Sequence, residues 1–232
     1  TVSTFTTLGP EINIEGNSTS IVDGDLSPSA TDHTDFGSIS TCVATVVRTF
    51  TIRNTGTADL TISSINISGT DAADFSVTLS PAATITPSNT TIFQVTFNPS
   101  ASGTRSATIT VNNDDSDEAA YDFAIQGTGT DLSITALSQT NVSCSLGSNG
   151  AASVNAATGG TAPYSYNWTP GNPTGDGTTS ITGLPAGTWT CTVTDANGCT
   201  AFQDFTITQP SPLSLTAASQ TNVSCNGGSN GA

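Results

Sequence analysis

The sequence predicts an all-β chain of two β-sandwiches in tandem, followed by the opening of a further repeat. Three observations lead there. Short runs of alternating apolar and polar residues recur along the chain, broken by Gly, Pro, Asn and Asp. The polar remainder is mostly Thr, Ser, Asn and Gly, while Lys and Met are absent and other helix formers are scarce. Finally, Leu132–Ala151 (LSITALSQTNVSCSLGSNGA) returns at Leu213–Ala232 as LSLTAASQTNVSCNGGSNGA. The two stretches differ only at Ile134/Leu215, Leu137/Ala218, Ser145/Asn226 and Leu146/Gly227. A unit that comes back in this way marks a tandem array. At roughly 100 residues per small sandwich, 232 residues hold two and a fragment.

Thr1–Pro10 has no burying pattern and reads as a lead-in. Residues 11–15 (EINIE) alternate as a half-buried strand. Residues 16–34 are rich in Asn, Ser, Asp and Pro and read as a long loop with a short strand near Ile21 and Val22, and Asp35–Ile39 leads into the next element. A strand set by Phe50 and Ile52 is expected to begin near Val43 and to turn at Asn54–Gly56. Leu60 and Ile62 share one face, then Ile65 and Ile67 share one, and the odd step between them predicts a bulge. Further strands carry Phe75, Val77 and Leu79; Phe93, Val95 and Phe97; Ala107, Ile109 and Val111; and Tyr121, Phe123 and Ile125. Seven short alternating strands with turn residues between them fit a two-sheet sandwich over about 11–130.

Several of these segments together resemble the "choice-of-anchor D" type of repeat, related to the ASH/HYDIN immunoglobulin-like domains. They are Glu11–Ile14, Ile21–Asp25, Thr34–Gly37, Phe50–Leu60 (FTIRNTGTADL), Phe97–Pro99 and Tyr121–Gly129. The resemblance implies an immunoglobulin-type sandwich in a large secreted bacterial protein, and no activity.

A second unit, 131–210, follows a very short join. Ser133–Leu137 alternates; Ala152–Ala156 is a strand of small residues; Tyr164, Tyr166 and Trp168 fall on one face of the next. Ser180–Pro185 leads into Trp189–Thr194, residues 195–198 (DANG) form a hairpin turn, and Phe202–Ile207 returns. With Cys144, Pro163–Trp168 (PYSYNW), Leu184–Gly187 (LPAG), Thr192–Cys199 (TVTDANGC) and Ile207–Pro210 (ITQP), this unit resembles the SprB repeat. That family takes its name from a gliding-motility cell-surface adhesin of Bacteroidetes. It recurs in tandem in very long proteins exported by the type IX system. Two departures are Cys191, where the family usually has an aliphatic residue, and Trp189, where it usually has Tyr. Residues 211–232 would begin another copy. The expected architecture is therefore tandem immunoglobulin-like sandwiches, extended as beads on a string.

Composition removes several function classes. The net charge is −15, and Arg48, Arg53 and Arg105 are the basic residues. Such a surface repels phosphate backbones and anionic membranes, so nucleic acid and membrane insertion are not expected as partners. No apolar run approaches the roughly 20 residues of a membrane helix, and no leader is visible at Thr1. The lack of lysine rules out Lys–Asn isopeptide cross-links within the segment.

Five cysteines in an acidic β chain point to an oxidising compartment, which is extracellular. The SprB resemblance implies a Cys144–Cys199 disulfide. Cys144–Cys191 is the alternative, since Cys191 follows Trp189 by two, as the second cysteine of an immunoglobulin domain follows its corner tyrosine. Cys225 repeats Cys144, and Cys42 reads as a small buried thiol. Asp23 with Asp25, and Asp114, Asp115, Asp117 with Glu118, are the candidates for calcium, which takes six to eight oxygens; neither run has the twelve-residue loop spacing of an EF-hand. Solvated loop acids are the competing reading. Tyr164, Tyr166 and Trp168 could stack on a sugar if exposed, or line the core. His33 is the single histidine, in a TDHTD loop with no nucleophile placed beside it, and no phosphate loop, HExxH or CxxC motif is present.

The expected role is non-enzymatic: an adhesive or structural segment of a long secreted or surface protein, needing no cofactor, whose partners are neighbouring repeats, other copies of itself or surface polysaccharide. Two alternatives stand beside it. One is a glycan-binding sandwich. The other is a self-assembling filament subunit that adds 213–232 as a strand to a neighbour.

Overall fold

The computed structural model describes residues 9–42, 45–229 and 231. Most of the lead-in and the expected strand start at Val43 lie outside them. The described residues form β-strands and one 3-10 turn, Ala72–Asp74, with no α-helix, so the all-β reading holds. They divide into two compact units. The first runs to Ser133 and takes in the loops 157–164 and 194–201; the second comprises 134–156, 165–193 and 202 onward.

The first unit is a sandwich of two five-stranded sheets. Its strands are β1 (Ile12–Gly16), β2 (Thr19–Ile21), β3 (Asp35–Ser40), β4 (Val46–Asn54), β5 (Leu60–Ser68), β6 (Phe75–Leu79), β7 (Thr84–Ile85), β8 (Thr90–Phe97), β9 (Gly103–Asn113) and β10 (Ala120–Thr130). One sheet has the order β2-β1-β4-β8-β6 and the other β3-β10-β9-β5-β7. Alternation puts Phe50 and Ile52, Phe93, Val95 and Phe97, and Ile109 and Val111 inward, where all are buried. Two ring clusters fill the interior: Phe50 stacks on Phe93 and touches Phe123, and Phe36, Phe75 and Phe97 form a triad with centroids 4.8–5.9 Å apart. The bulge expected between Ile62 and Ile65 is present, as a register shift against β9 between Ile62 and Ser64. Two strands go beyond the sequence reading: β3, which pairs in parallel with β10, and the two-residue β7.

Asn54 closes β4 from within. Its side-chain amide donates to the carbonyls of Ala58 (2.7 Å) and Ile85 (2.8 Å), and its Oδ1 accepts from the Gly56 amide (3.0 Å). The residue is fully buried. An Asn54→Leu change keeps the volume and strands those three backbone groups, so it is expected to cost about 3 kcal/mol in urea unfolding.

The second unit contains β11 (Ala136–Thr140), β12 (Gly150–Val154), β13 (Ser165–Thr169), β14 (Ser180–Leu184), β15 (Gly187–Thr194) and β16 (Thr200–Ile207). They form two three-stranded sheets, β11-β12-β14 and β13-β15-β16. Val154, Trp168, Ile181, Leu184, Cys191, Val193, Phe205 and Ile207 are buried between them. Residues 208–229 contain no strand.

Candidate functional site

The structure sorts the sequence-predicted residues into three places. The first is an acidic cluster at one end of the first sandwich. Glu11 directly precedes β1, and Asp115, Asp117 and Glu118 sit in the turn from β9 to β10. Carboxylate oxygens of Glu11, Asp115 and Asp117 lie within 4.8 Å of one another. The turn is fixed by Asn113, whose Oδ1 accepts from the Asp115 amide (2.8 Å) and whose Nδ2 donates to the Glu118 carbonyl (2.8 Å). Asp115 is buried and its Oδ2 accepts from the Ile12 amide (2.9 Å), which ties the turn to β1. Oε2 of Glu118 is buried with no hydrogen-bond partner.

Burial first, and then the neighbouring carboxylates, push Glu11 and Glu118 above the ordinary carboxylate range. Asp115 is raised too, chiefly by burial, against the pull of its Ile12 hydrogen bond. Tyr121, next to this turn on β10, is pushed up to about 12 by burial and then by Glu118.

The sequence grouping is therefore corrected in two ways. Glu11, over a hundred residues away, joins the cluster. Asp114 and Asp25 are turned to other work: Asp114 Oδ1 accepts from the Thr61 amide (2.7 Å), and Asp25 Oδ1 from the Ser27 amide (2.9 Å). Asp114 is not among the acids whose carboxylate oxygens come together. Asp23 accepts from the Asp122 amide (2.7 Å) and acts on Glu118 through its charge.

A raised carboxylate stabilises the fold below its unfolded pKa, and that contribution is lost as pH rises through the folded value. At neutral pH the cluster is thus a source of repulsion. Glu118→Gln is expected to stabilise the fold at pH 7 by up to about 1 kcal/mol for one close like-charge neighbour, seen as a higher thermal midpoint, and to leave the midpoint unchanged at pH 3. In the presence of a cluster-bound calcium ion the same change would lower the midpoint, so melts with and without chelator separate the two readings.

The second place is the disulfide. Cys199 is bonded to Cys42, with Cα atoms 5.9 Å apart, and Cys144 and Cys191 are free thiols. This corrects both pairings expected within the repeat, Cys144–Cys199 and Cys144–Cys191, and the reading of Cys42 as a spare thiol. Cys42 lies in the loop after β3 and Cys199 in the turn between β15 and β16, both in the first unit. Asp195 shapes that turn: its carboxylate accepts from the amides of Asn197 (2.9 Å), Cys199 (2.9 Å) and Thr161 (2.8 Å). Burial would raise its pKa, but these backbone hydrogen bonds hold it below the usual range. Cys144 is exposed, whereas Cys191 is buried and its thiol is pushed up to about 11 by burial, which leaves it unreactive.

The third place is the aromatic row. Trp168 is fully buried; its indole N–H donates to the Thr178 carbonyl (2.8 Å) and its ring packs on Phe205 at 5.6 Å. Tyr164 is half-buried and its hydroxyl donates to the Gly159 carbonyl (2.6 Å); Tyr166 is half-buried as well. With Trp168 in the core, the row does not present an exposed sugar-stacking face.

His33 sits at a positive φ of 66° between Asp32 and Thr34. The Asp32 carboxylate is engaged by the Thr34 hydroxyl and amide. Burial, followed by the Arg48 charge, lowers the His33 pKa.

Comparison with known proteins fits this geometry. Residues 29–128 match the model of the HYDIN/CFA65/VesB-like Ig-like domain, and residues 136–173 match the SprB repeat. No curated protein matches. Among solved structures, a protein of unknown function from Porphyromonas gingivalis W83 is similar at 14% identity, covering 54% of this chain and 50% of that one, with a TM-score of 0.39. The VesB protease of Vibrio cholerae is similar at 17% identity, covering 41% and 29%, with a TM-score of 0.31. The ASH/PapD-like domain 7 of human CEP192 is similar at 14% identity, covering 57% and 94%, with a TM-score of 0.33. The chain spans half or less of the length of the first two. Similarity to an Ig-like domain followed by similarity to an SprB repeat suggests a structural module of the cell-surface, adhesin type.

Proposed function

We propose that this chain is a non-enzymatic, load-bearing segment of a large secreted or surface-anchored repeat protein, serving as an adhesin stalk or extracellular filament of the gliding-adhesin type. The observation that carries the reading is the order of modules: an Ig-like sandwich, an SprB repeat, and at Leu213 the same opening again. Physical features support it. Both cores are closed and aromatic, a disulfide spans 157 residues of sequence, and the acidic surface keeps crowded repeats from collapsing on one another. Arg105 is held by Asp74 (2.6 Å) and Asp71 (2.8 Å), and Arg53 by Glu15 (3.2 Å), so a trypsin-like enzyme meets few open sites. Export by a type IX system belongs to the same reading.

The test is on intact source cells. Antibodies raised against this chain are expected to label them without permeabilisation, and deletion of the segment is expected to weaken attachment to a surface. Labelling confined to permeabilised cells would sink the proposal. The described residues favour this over a glycan-binding module, because the tryptophan on which that alternative rested lies inside the core.

A further inference from the structure

The chain has 18 acids and only three arginines, and two of the arginines are spent on acids: Arg53 on Glu15, Arg105 on Asp71 and Asp74. Arg48 is not. Among the described residues no acid pairs with it, and its Nε is buried with no hydrogen-bond partner. The Nδ1 of His33 is likewise buried and unpartnered. A buried polar atom left unbonded is costly, and more so on a charged group. A fold that keeps two of them together does so against its own stability.

The architecture of the first sandwich brings the two residues to one place. Phe50 and Ile52 of β4 point inward, and alternation puts Arg48 on the same face. β1 ends at Gly16, which is paired with Phe50, so the strand beside β4 has run out by Arg48. The loop that carries His33 crosses at that end. The Asp32 carbonyl lies against Gly16, where an added Cβ would meet it at 1.7 Å and the Phe50 ring at 3.3 Å. The Arg48 charge is felt at His33, whose pKa it lowers after burial does.

His33 is also held there. Its φ of 66° is a left-handed backbone that costs a residue with a side chain. Hydrogen bonds across it fix that shape: Asp32 Oδ1 accepts from the Thr34 amide (3.0 Å) and hydroxyl (2.6 Å), and the Thr34 hydroxyl accepts from the Ser29 amide (2.7 Å). Asp32 is the other charged group that acts on His33, and its Oδ1 is committed to this turn rather than to Arg48.

The donors suit one kind of ligand. Arg48 offers parallel N–H groups from Nε and Nη, a fork that matches the two oxygens of a carboxylate. His33, left neutral at pH 7 by its lowered pKa, adds a third donor when its proton is on Nδ1. A surface of net charge −15 repels sulfate or a polyanion through each of their charges, and a planar monoanion least. We propose that Arg48 and His33 form a binding site for a single carboxylate group, with Arg48 holding both oxygens and His33 donating from Nδ1. The site is independent of the load-bearing reading, since it concerns a ligand of the first sandwich and not the array.

Nitrogen-15 spectra of the full chain test it near neutral pH, because three arginines give three Nε–H signals and the single histidine one set of ring signals. Sodium acetate is expected to move the Arg48 signal and the His33 ring signals saturably, with half-saturation on the order of 1 mM, and to leave Arg53 and Arg105 in place. Sodium chloride at the same ionic strength is the control for screening. Arg48→Lys keeps the charge and loses the fork, and His33→Asn puts in a residue that tolerates the left-handed backbone. Each is expected to weaken acetate binding at least about tenfold, read on the remaining partner. N-acetyl-Ala-Ala separates two sources of the carboxylate: binding at least as tight as acetate assigns the site to a chain terminus, and weaker binding to a free acid. An Arg48 signal that acetate leaves in place, or moves no further than chloride does, overturns the proposal. So does sulfate bound as tightly as acetate, or an Arg48→Lys variant that binds acetate like the wild type.

Discussion

Cys42→Ser is expected to lower the stability of the first unit by about 4 kcal/mol, the loop-closure contribution of a bond spanning well over a hundred residues. The bond fixes the 194–201 turn to the loop after β3, and both cysteines sit in loops rather than strands. Without it, the Asp195-centred hydrogen bonds are left to order that turn alone. Melting with and without reductant measures the effect: the wild-type midpoint should fall on reduction and the variant midpoint should not move. Alkylation under native conditions supplies the chemical check. Cys144 and Cys225 are exposed thiols and should be labelled, buried Cys191 should resist, and Cys42 and Cys199 should be protected until reduced. Identical melts for both proteins would remove the bond from the account of stability.

Phe97→Ala is expected to cost about 4 kcal/mol, within the range for emptying a buried phenylalanine site. Phe97 is fully buried at the end of β8, stacked on Phe75 at 4.8 Å and tilted against Phe36 at 5.9 Å. Its ring also lies on Gly127 of β10, where any added Cβ would run into it. The site cannot collapse to fill the gap, because strands from both sheets hold its walls apart. Gly127→Ala attacks the same contact from the other side and should also destabilise, by overpacking; in the Phe97→Ala background that penalty should shrink. Urea unfolding of the two single variants and the double variant measures the coupling directly.

Much of this fold was legible because alternation is a local signal. β4, β8 and β10 bury every second residue, and that period can be read without knowing what they pair with. β3 escaped because Gly37 and Ser38 are both exposed and break the period, and because its partner, β10, lies some ninety residues on. Asn54 read as a turn residue, and its polarity gave no sign that it would be buried at the centre of a hydrogen-bond hub. The disulfide failed for a different reason: spacing never fixes connectivity, and the partner was sought inside the repeat when it lay outside it. The acidic cluster was half legible. Asp115, Asp117 and Glu118 are neighbours in sequence, but Glu11 reaches them only through the packing of one sheet on the other, where the Ile12 amide bonds the Asp115 carboxylate.

The parallel pairing of β3 with β10 sets a condition on how the first sandwich comes to be folded. Gln126 must reach Asp35, and Thr130 must reach Ser40, before the sheet is complete. The closing contacts are thus among the most distant along the chain, a high contact order, and such topologies fold in about milliseconds to seconds rather than microseconds. A chain emerging from the ribosome would therefore leave this sheet open until residue 130 had been made, and β3 would wait some ninety residues for its partner.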